Sequence, residues 1–257
     1  MLVLIAESKT MAPCLDKVSP EVYAAHRPMM EDRAEAVMDS LRGTSESELA
    51  ARVGISAALA RRLHEMVYEF PNKTLGAKAI EAFTGVVFKA FDYGSLNSAA
   101  RGRTAATVRI VSSLYGWLRP DDIVKAYRLD FKTSVAPDGL TLAASMRDRL
   151  GEALVAELDS RGSRAVLDLM PGEAAKCFDR STLRLQTEMW TAVFREMLPG
   201  GSYKTPDAGW LKTLRGKLLR LIVENGIDKP EELAGIESDD FMCEGVDGHR
   251  LLFTAVR

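Results

Sequence analysis

Lys9 and Thr10 follow directly on the branched apolar run Leu2–Ile5, and a charged side chain just past a buried strand is where functional groups are often displayed. A solvated loop lysine fits the same residues. A second stretch, Ala79–Ala90, sets Gly85 between two apolar segments of helical spacing. That pattern resembles a helix-hairpin-helix, in which backbone N–H groups face a DNA phosphate and glycine permits the close approach. A plain helical corner packed in the core is the alternative. In a third, Ser113–Leu129, Tyr115, Trp117 and Tyr127 interleave with Arg119, Lys125 and Arg128. Such rings stack on bases or pack a core beneath a basic rim, and packing is the safer physical reading. The arginines then serve as ion-pair partners or phosphate ligands. The fourth stretch, Lys212–Arg220, puts Lys212, Arg215 and Arg220 roughly on one helical face and Leu214, Leu218 and Leu221 on another. It suits a phosphate backbone, an acidic partner or a membrane surface. A competing chemistry draws on Lys9, Glu173 (near Lys176) and Arg215. A lysine beside a carboxylate performs acid–base work on a phosphate-bearing small molecule or nucleic acid.

The positions of charge matter more than their sum. The 257-residue chain carries a net charge of −2, yet Arg101–Asp130 holds six basic residues against three acidic and Lys204–Arg220 five against one. Glu224–Asp247 holds nine acidic residues against one lysine. Two basic segments gain little by being scattered, so Lys9, Arg119, Arg128, Lys212 and Arg215 are expected on one concave surface. The acidic segment is expected to screen another surface or compete for that cleft. No phosphate-binding loop, dinucleotide glycine motif or serine-nucleophile elbow occurs, which removes the usual routes to phosphoryl transfer, dinucleotide redox and serine hydrolysis. Cys14, Cys177 and Cys243 are far apart, as are His26, His64 and His249, so neither a zinc site nor a disulfide framework is expected. No apolar run approaches a bilayer span and no basic region precedes the first one, so no membrane association and a cytoplasmic location with reduced thiols are expected.

The elements that must hold these residues follow from periodicity. Strands are expected at Leu2–Ile5, Arg164–Leu169, Thr187–Phe194 and Leu251–Val256. Helices are expected over Pro20–Ser40 with a break at Pro28, and over Ser45–Tyr68 with a cap at Ser45. Further helices are expected over Leu75–Phe91, over Thr141–Asp159, and over Leu211–Glu224 with Asn225–Gly226 as cap. Ser98–Tyr115 contains a helix or a helix–strand step, and Pro230–Ala234 a short helix. Leu49–Ser56 followed by Arg61–Leu63 has the outline of a DNA-reading helix-turn-helix, with Ala60 where a branched residue is usual. Strands and helices alternate without a regular βαβ rhythm, which predicts an α+β fold, and no linker divides residues 1–257, which predicts one domain.

Taken in order, the markers resemble the YaaA-type peroxide stress proteins. They are Met1–Ile5 with Lys9-Thr10, then Phe83-x-Gly85-x-Val87-Phe88, and then Leu114-Tyr115-Gly116-x-Leu118-Arg119-Pro120-x-Asp122 with Tyr127-Arg128-Leu129. Lys212-x-x-Arg215-Gly216 and the spacing of Arg220, Asn225, Pro230 and Leu233 complete the set. The resemblance implies a cytoplasmic bacterial protein of the peroxide response, with a mixed sheet surrounded by helices, a helix-hairpin-helix and a positively charged cleft. It implies double-stranded DNA as partner, no cofactor or metal, no established enzymatic activity, and a linked role in keeping free iron low. Lys9, Gly85, Arg119, Arg128, Lys212 and Arg215 are the expected DNA-binding residues. Three departures stand out. Ala6-Glu7-Ser8 replaces Ser-Pro-Ala, placing a negative charge beside Lys9. Met170-Pro171-Gly172-Glu173-Ala174 keeps the glutamate of an Ala-Ser-x-Glu-Tyr step but loses its serine and tyrosine. Asp239-Asp240-Phe241 stands for a Gly-Tyr pair.

Overall fold

Five consecutive residues at Leu2–Ala6 are buried, and their strand is the centre of the molecule. A strand with side chains hidden on both faces belongs inside a parallel sheet covered on both sides. A computed structural model describes residues 1–14 and 16–256. Its strands are β1 (Leu2–Ala6), β2 (Asp16–Lys17), β3 (Leu75–Lys78), β4 (Val108–Ser112), β5 (Gly116–Leu118), β6 (Ile123–Val124), β7 (Ala165–Asp168), β8 (Glu188–Met197), β9 (Tyr203–Lys204), β10 (Phe241–Asp247) and β11 (Arg250–Ala255). The main sheet has the order β10-β11-β8-β7-β1-β4-β5, with β9 paired to β8. The inner five strands are parallel, while β5, β9 and β10 pair antiparallel. Antiparallel β2, β3 and β6 form a small second sheet. With helices flanking the mixed sheet and one contiguous hydrophobic core, the architecture is single-domain α+β.

Local signals set many boundaries. Ser45 and Glu48 form a reciprocal capping box at the start of the Glu46–Val53 helix, and left-handed Gly54 (φ 70°) ends it. The helix Ala57–Glu69 follows, burying Ala60, Leu63 and Val67. Ala60 is fully buried, so its small size is a packing feature of this pair. Gly226 (φ 67°) closes the long helix Ala208–Asn225.

Three expectations fail for identifiable reasons. Thr141–Asp159 is not one helix: Leu142–Ser145 and Arg147–Ser160 are separated at Met146. There the buried Arg33 guanidinium donates to the Leu142 carbonyl (3.0 Å) and to Ser145 Oγ (2.9 Å). Leu75–Lys78 is a strand, because Gly76 lies against Ile123 so closely that a Cβ would come within 2.5 Å of its Cγ2. The helix-hairpin-helix does not form as expected. Ala79–Ala82 is a single turn, and Gly85 has an ordinary φ of −72°. Glycine is needed there for space, since a Cβ would meet Ser8 Cβ at 2.5 Å.

Candidate ligand site

From β1 the chain moves outward to β4 and β5, and from β7 it moves outward the other way, to β8, β11 and β10. The boundary between β1 and β7 is therefore a topological switch point. In open parallel sheets, ligands bind at the carboxyl ends of strands beside such a point, because the diverging connections leave a crevice. A cavity of about 410 Å³ lies there, lined by Ile5–Thr10 at the end of β1 and in the loop that follows, by Leu169, Pro171 and Glu173 after β7, and by Gly85–Phe88, Asp130, Phe131, Lys212 and Arg215. Its size falls in the range of small-ligand sites.

Each wall has a local cause. Ser8 Oγ accepts the Gly85 N–H (3.0 Å) and donates to the Thr10 carbonyl, which pins the loop after β1 to the start of the Val86–Phe91 helix. The Gly85 donor is thereby committed and does not point freely at a ligand. Lys9 Nζ, half-exposed, pairs with Asp130 (2.5 Å), and Arg128 Nη1 donates to the Lys9 carbonyl (3.0 Å). Burial alone would raise Asp130, but Lys9 and the Lys132 backbone N–H outweigh it and hold the carboxyl below its ordinary value. Arg215 and Lys212 reach the cavity because Gly216 lets their helix approach the Val86–Phe91 helix. A Cβ at 216 would stand 2.3 Å from the Val87 carbonyl oxygen. Arg215 is half-buried, and desolvation lowers its pKa while Asp168 partly restores it. Neither Lys212 nor Arg215 makes a side-chain hydrogen bond or close ion pair among the described residues. Glu173 stands exposed at the mouth.

Glu7 is the residue that sequence reasoning misjudged. Read from the sequence only as a negative charge beside Lys9, it is a cavity wall held by a network. Its Oε2 accepts the Ser113 backbone N–H (2.8 Å) and the Tyr127 hydroxyl, and that hydroxyl lies 2.7 Å from Ser112 Oγ. Burial pushes the Glu7 carboxyl up to about 7, although the Tyr127, Ser113 and Ser112 hydrogen bonds pull it down. A carboxyl poised there exchanges protons near neutral pH. Its partners lie 106 and 120 positions away, so no local spacing announces them.

The structure thus gathers Lys9, Gly85, Lys212, Arg215 and Glu173 around one cavity, with Arg128 bonded to the Lys9 backbone. Arg119 is elsewhere. Strand β5 runs back antiparallel to β4, with Leu118 beside Ile110, so Arg119 emerges toward the other end of the sheet. Its backbone N–H donates to Asp122 (2.8 Å). Nor is there a continuous run of free cations among the described residues. In the first basic segment Arg103 binds the Val223 and Glu224 carbonyls, buried Arg109 pairs with Glu157, and Lys125 donates to the Phe70 carbonyl. Tyr115, Trp117 and Tyr127 are buried and pack the core, with no face left for a base. In the second, Lys217 pairs with Asp240, and Arg220 with Glu224 (2.7 Å) and Asp92 (3.5 Å). The acidic segment meets the basic helix at its far half, away from Lys212.

The fold is a parallel-centred α+β sheet with a cavity at its switch point lined by lysine, arginine and glutamate. The chain belongs to the peroxide stress protein YaaA family, whose model matches residues 1–245. It is 33% identical over 248 residues to a UPF0246 protein of Paraburkholderia phytofirmans, covering 94% of this chain and 92% of that one. It is 30% identical over 261 residues to one of Rhizorhabdus wittichii, covering both chains completely. A third, from Laribacter hongkongensis, is 28% identical over 246 residues, covering 94% and 93%. Among the described residues, no helix is long and apolar enough to cross a membrane, and no group of three His, Cys, Asp or Glu side chains is placed to hold a metal ion.

Proposed function

We propose that this peroxide stress protein binds a phosphate-bearing ligand in the switch-point cavity and acts on it by acid–base chemistry. The observation that carries the reading is the convergence of Lys9, Lys212 and Arg215 with Glu7 on one cavity. Arg215 offers a guanidinium fork without a hydrogen bond or close ion pair to a described residue, a geometry suited to bidentate phosphate contact. Glu7 supplies the proton-exchanging group and Glu173 a second carboxylate at the mouth. Direct consumption of peroxide by Cys14 or Cys177 has little support: burial pushes both thiols up to about 12, and the thiolate is the reactive form.

Double-stranded DNA is the second reading, favoured by exposed Lys212 and by Arg128 behind Lys9. In that case a terminal or extruded nucleotide enters the cavity while the backbone lies against those cations, without sequence readout. Titration calorimetry of the whole chain with a mononucleotide and with duplex DNA tests both. Binding of the mononucleotide, weakened at least tenfold by Arg215→Ala, is the expected result. Tight duplex binding that Arg215→Ala leaves unchanged would sink the cavity reading.

A further inference from the structure

A second basic cavity, of about 480 Å³, lies against β8 on the side facing away from the core. Along β8 the even positions Trp190, Ala192 and Phe194 are buried, so Met189 and Val193 face outward, and the short helix Arg180–Leu183 stands over them. Arg180, Arg184, His249 and Arg250 also line the space, and among the described residues no carboxylate does. These four come from three separate parts of the chain: the β7–β8 connection, the turn before β11, and β11 itself. Their existing partners leave most donors available. Arg184 makes no side-chain hydrogen bond or ion pair with a described residue, and among ion pairs with described residues Arg250 has only Asp247 at 3.6 Å. Arg180 donates one Nη to buried Asp168 and keeps the rest of its fork.

We propose that this cavity is a second anion site, taking a small molecule that carries two or more linked phosphates on an apolar or planar body. Three guanidiniums retain donors beyond those met by Asp168 and the distant Asp247, and a diphosphate presents several oxygens to several forks. The outward faces of Met189 and Val193 give the body of such a ligand an apolar floor. A concave site of this volume suits a small ligand better than an extended strand, which needs a stripe of cations along a groove. Asp168 stands between the two cavities, held by Arg180 on one side and felt by Arg215 on the other. Occupying the second cavity therefore bears on the charge that Arg215 meets in the first.

The site is independent of the reading given for the first cavity, and inorganic pyrophosphate tests it. Calorimetry on the full chain is expected to resolve binding that Arg184→Gln combined with Arg250→Gln weakens at least tenfold, with circular dichroism and Tm unchanged. Arg215→Gln, in the first cavity, is expected to leave that event in place. Unaltered pyrophosphate binding in the double variant would overturn the proposal. So would loss of all pyrophosphate binding in Arg215→Gln alone, or a wild-type chain that ignores pyrophosphate but binds duplex DNA through Arg184 and Arg250.

Discussion

The two halves of the Ala208–Asn225 helix carry the same kinds of residue and meet opposite fates. Lys212 and Arg215 lie beside the switch-point cavity without a close charged partner, while Lys217 and Arg220, one and two turns on, are neutralised by Asp240, Glu224 and Asp92. Asp240 comes from the acidic segment, whose strand β10 closes the sheet's edge. The acidic residues therefore do not guard the cavity. They quench the part of the basic helix that the cavity does not use, and this concentrates positive potential at one end.

The largest effect expected on that contrast comes from Gly216, which lies between the two halves. Gly216→Val would drive side-chain atoms into the Val87 carbonyl and the Ala90 Cβ. It should cost about 3 kcal/mol of stability, seen as a lower urea midpoint, because backbone cannot yield as a flexible side chain does. An unchanged midpoint would mean that the two helices slide freely. Next come the paired and unpaired arginines. Arg215→Ala should weaken nucleotide binding by about 2 kcal/mol, roughly thirtyfold, with little change in Tm. Arg220→Ala should do the reverse, costing about 1 kcal/mol of stability and leaving affinity intact. Equal effects on both would erase the distinction.

Protonation gives a third test. The Glu7 carboxyl is raised from 4.5 to about 7 in the fold, so the native state holds a proton that the unfolded chain releases. Unfolding free energy should therefore fall as pH rises from about 4.5 to about 7 and then level off. Asp122, raised to about 7 by burial, contributes a slope of the same sign. Glu7→Gln should remove only its own part, leaving the variant about 1–3 kcal/mol more stable than wild type at pH 8 while shifting the pH dependence of any ligand turnover. Parallel stability–pH curves for variant and wild type would refute the assignment. The smallest effect belongs to Arg119, exposed at the other end of the sheet: Arg119→Ala should leave nucleotide affinity within error of wild type.

What the sequence disclosed follows the range over which each residue acts. Leu2–Ile5 announces a strand buried on both faces, and Ser45, Gly54 and Gly226 set helix ends, because each signal is complete within a few positions. Lys9, Lys212 and Arg215 were expected on one concave surface and line one cavity, but Arg119, expected with them, does not. Arg119 shares its segment with Arg128, yet the antiparallel return of β5 separates them, and no spacing encodes that return. Glu7 and Met146 were misread for one reason: Tyr127 and Arg33, which decide their conformation and charge, lie far off in the chain.

The central place of β1 also governs when the protein can assemble. Val3 pairs with Val108 and Leu2 with Val166, so β1 waits for strands far downstream before both its edges are covered. Closing such distances costs entropy before any contact rewards it, which slows folding relative to a helical bundle of equal length. Until then an apolar strand with two open edges is exposed, a template for pairing with other chains. Nascent copies are thus most vulnerable to aggregation before the ligand cavity exists, since the Leu169, Pro171 and Glu173 wall follows β7.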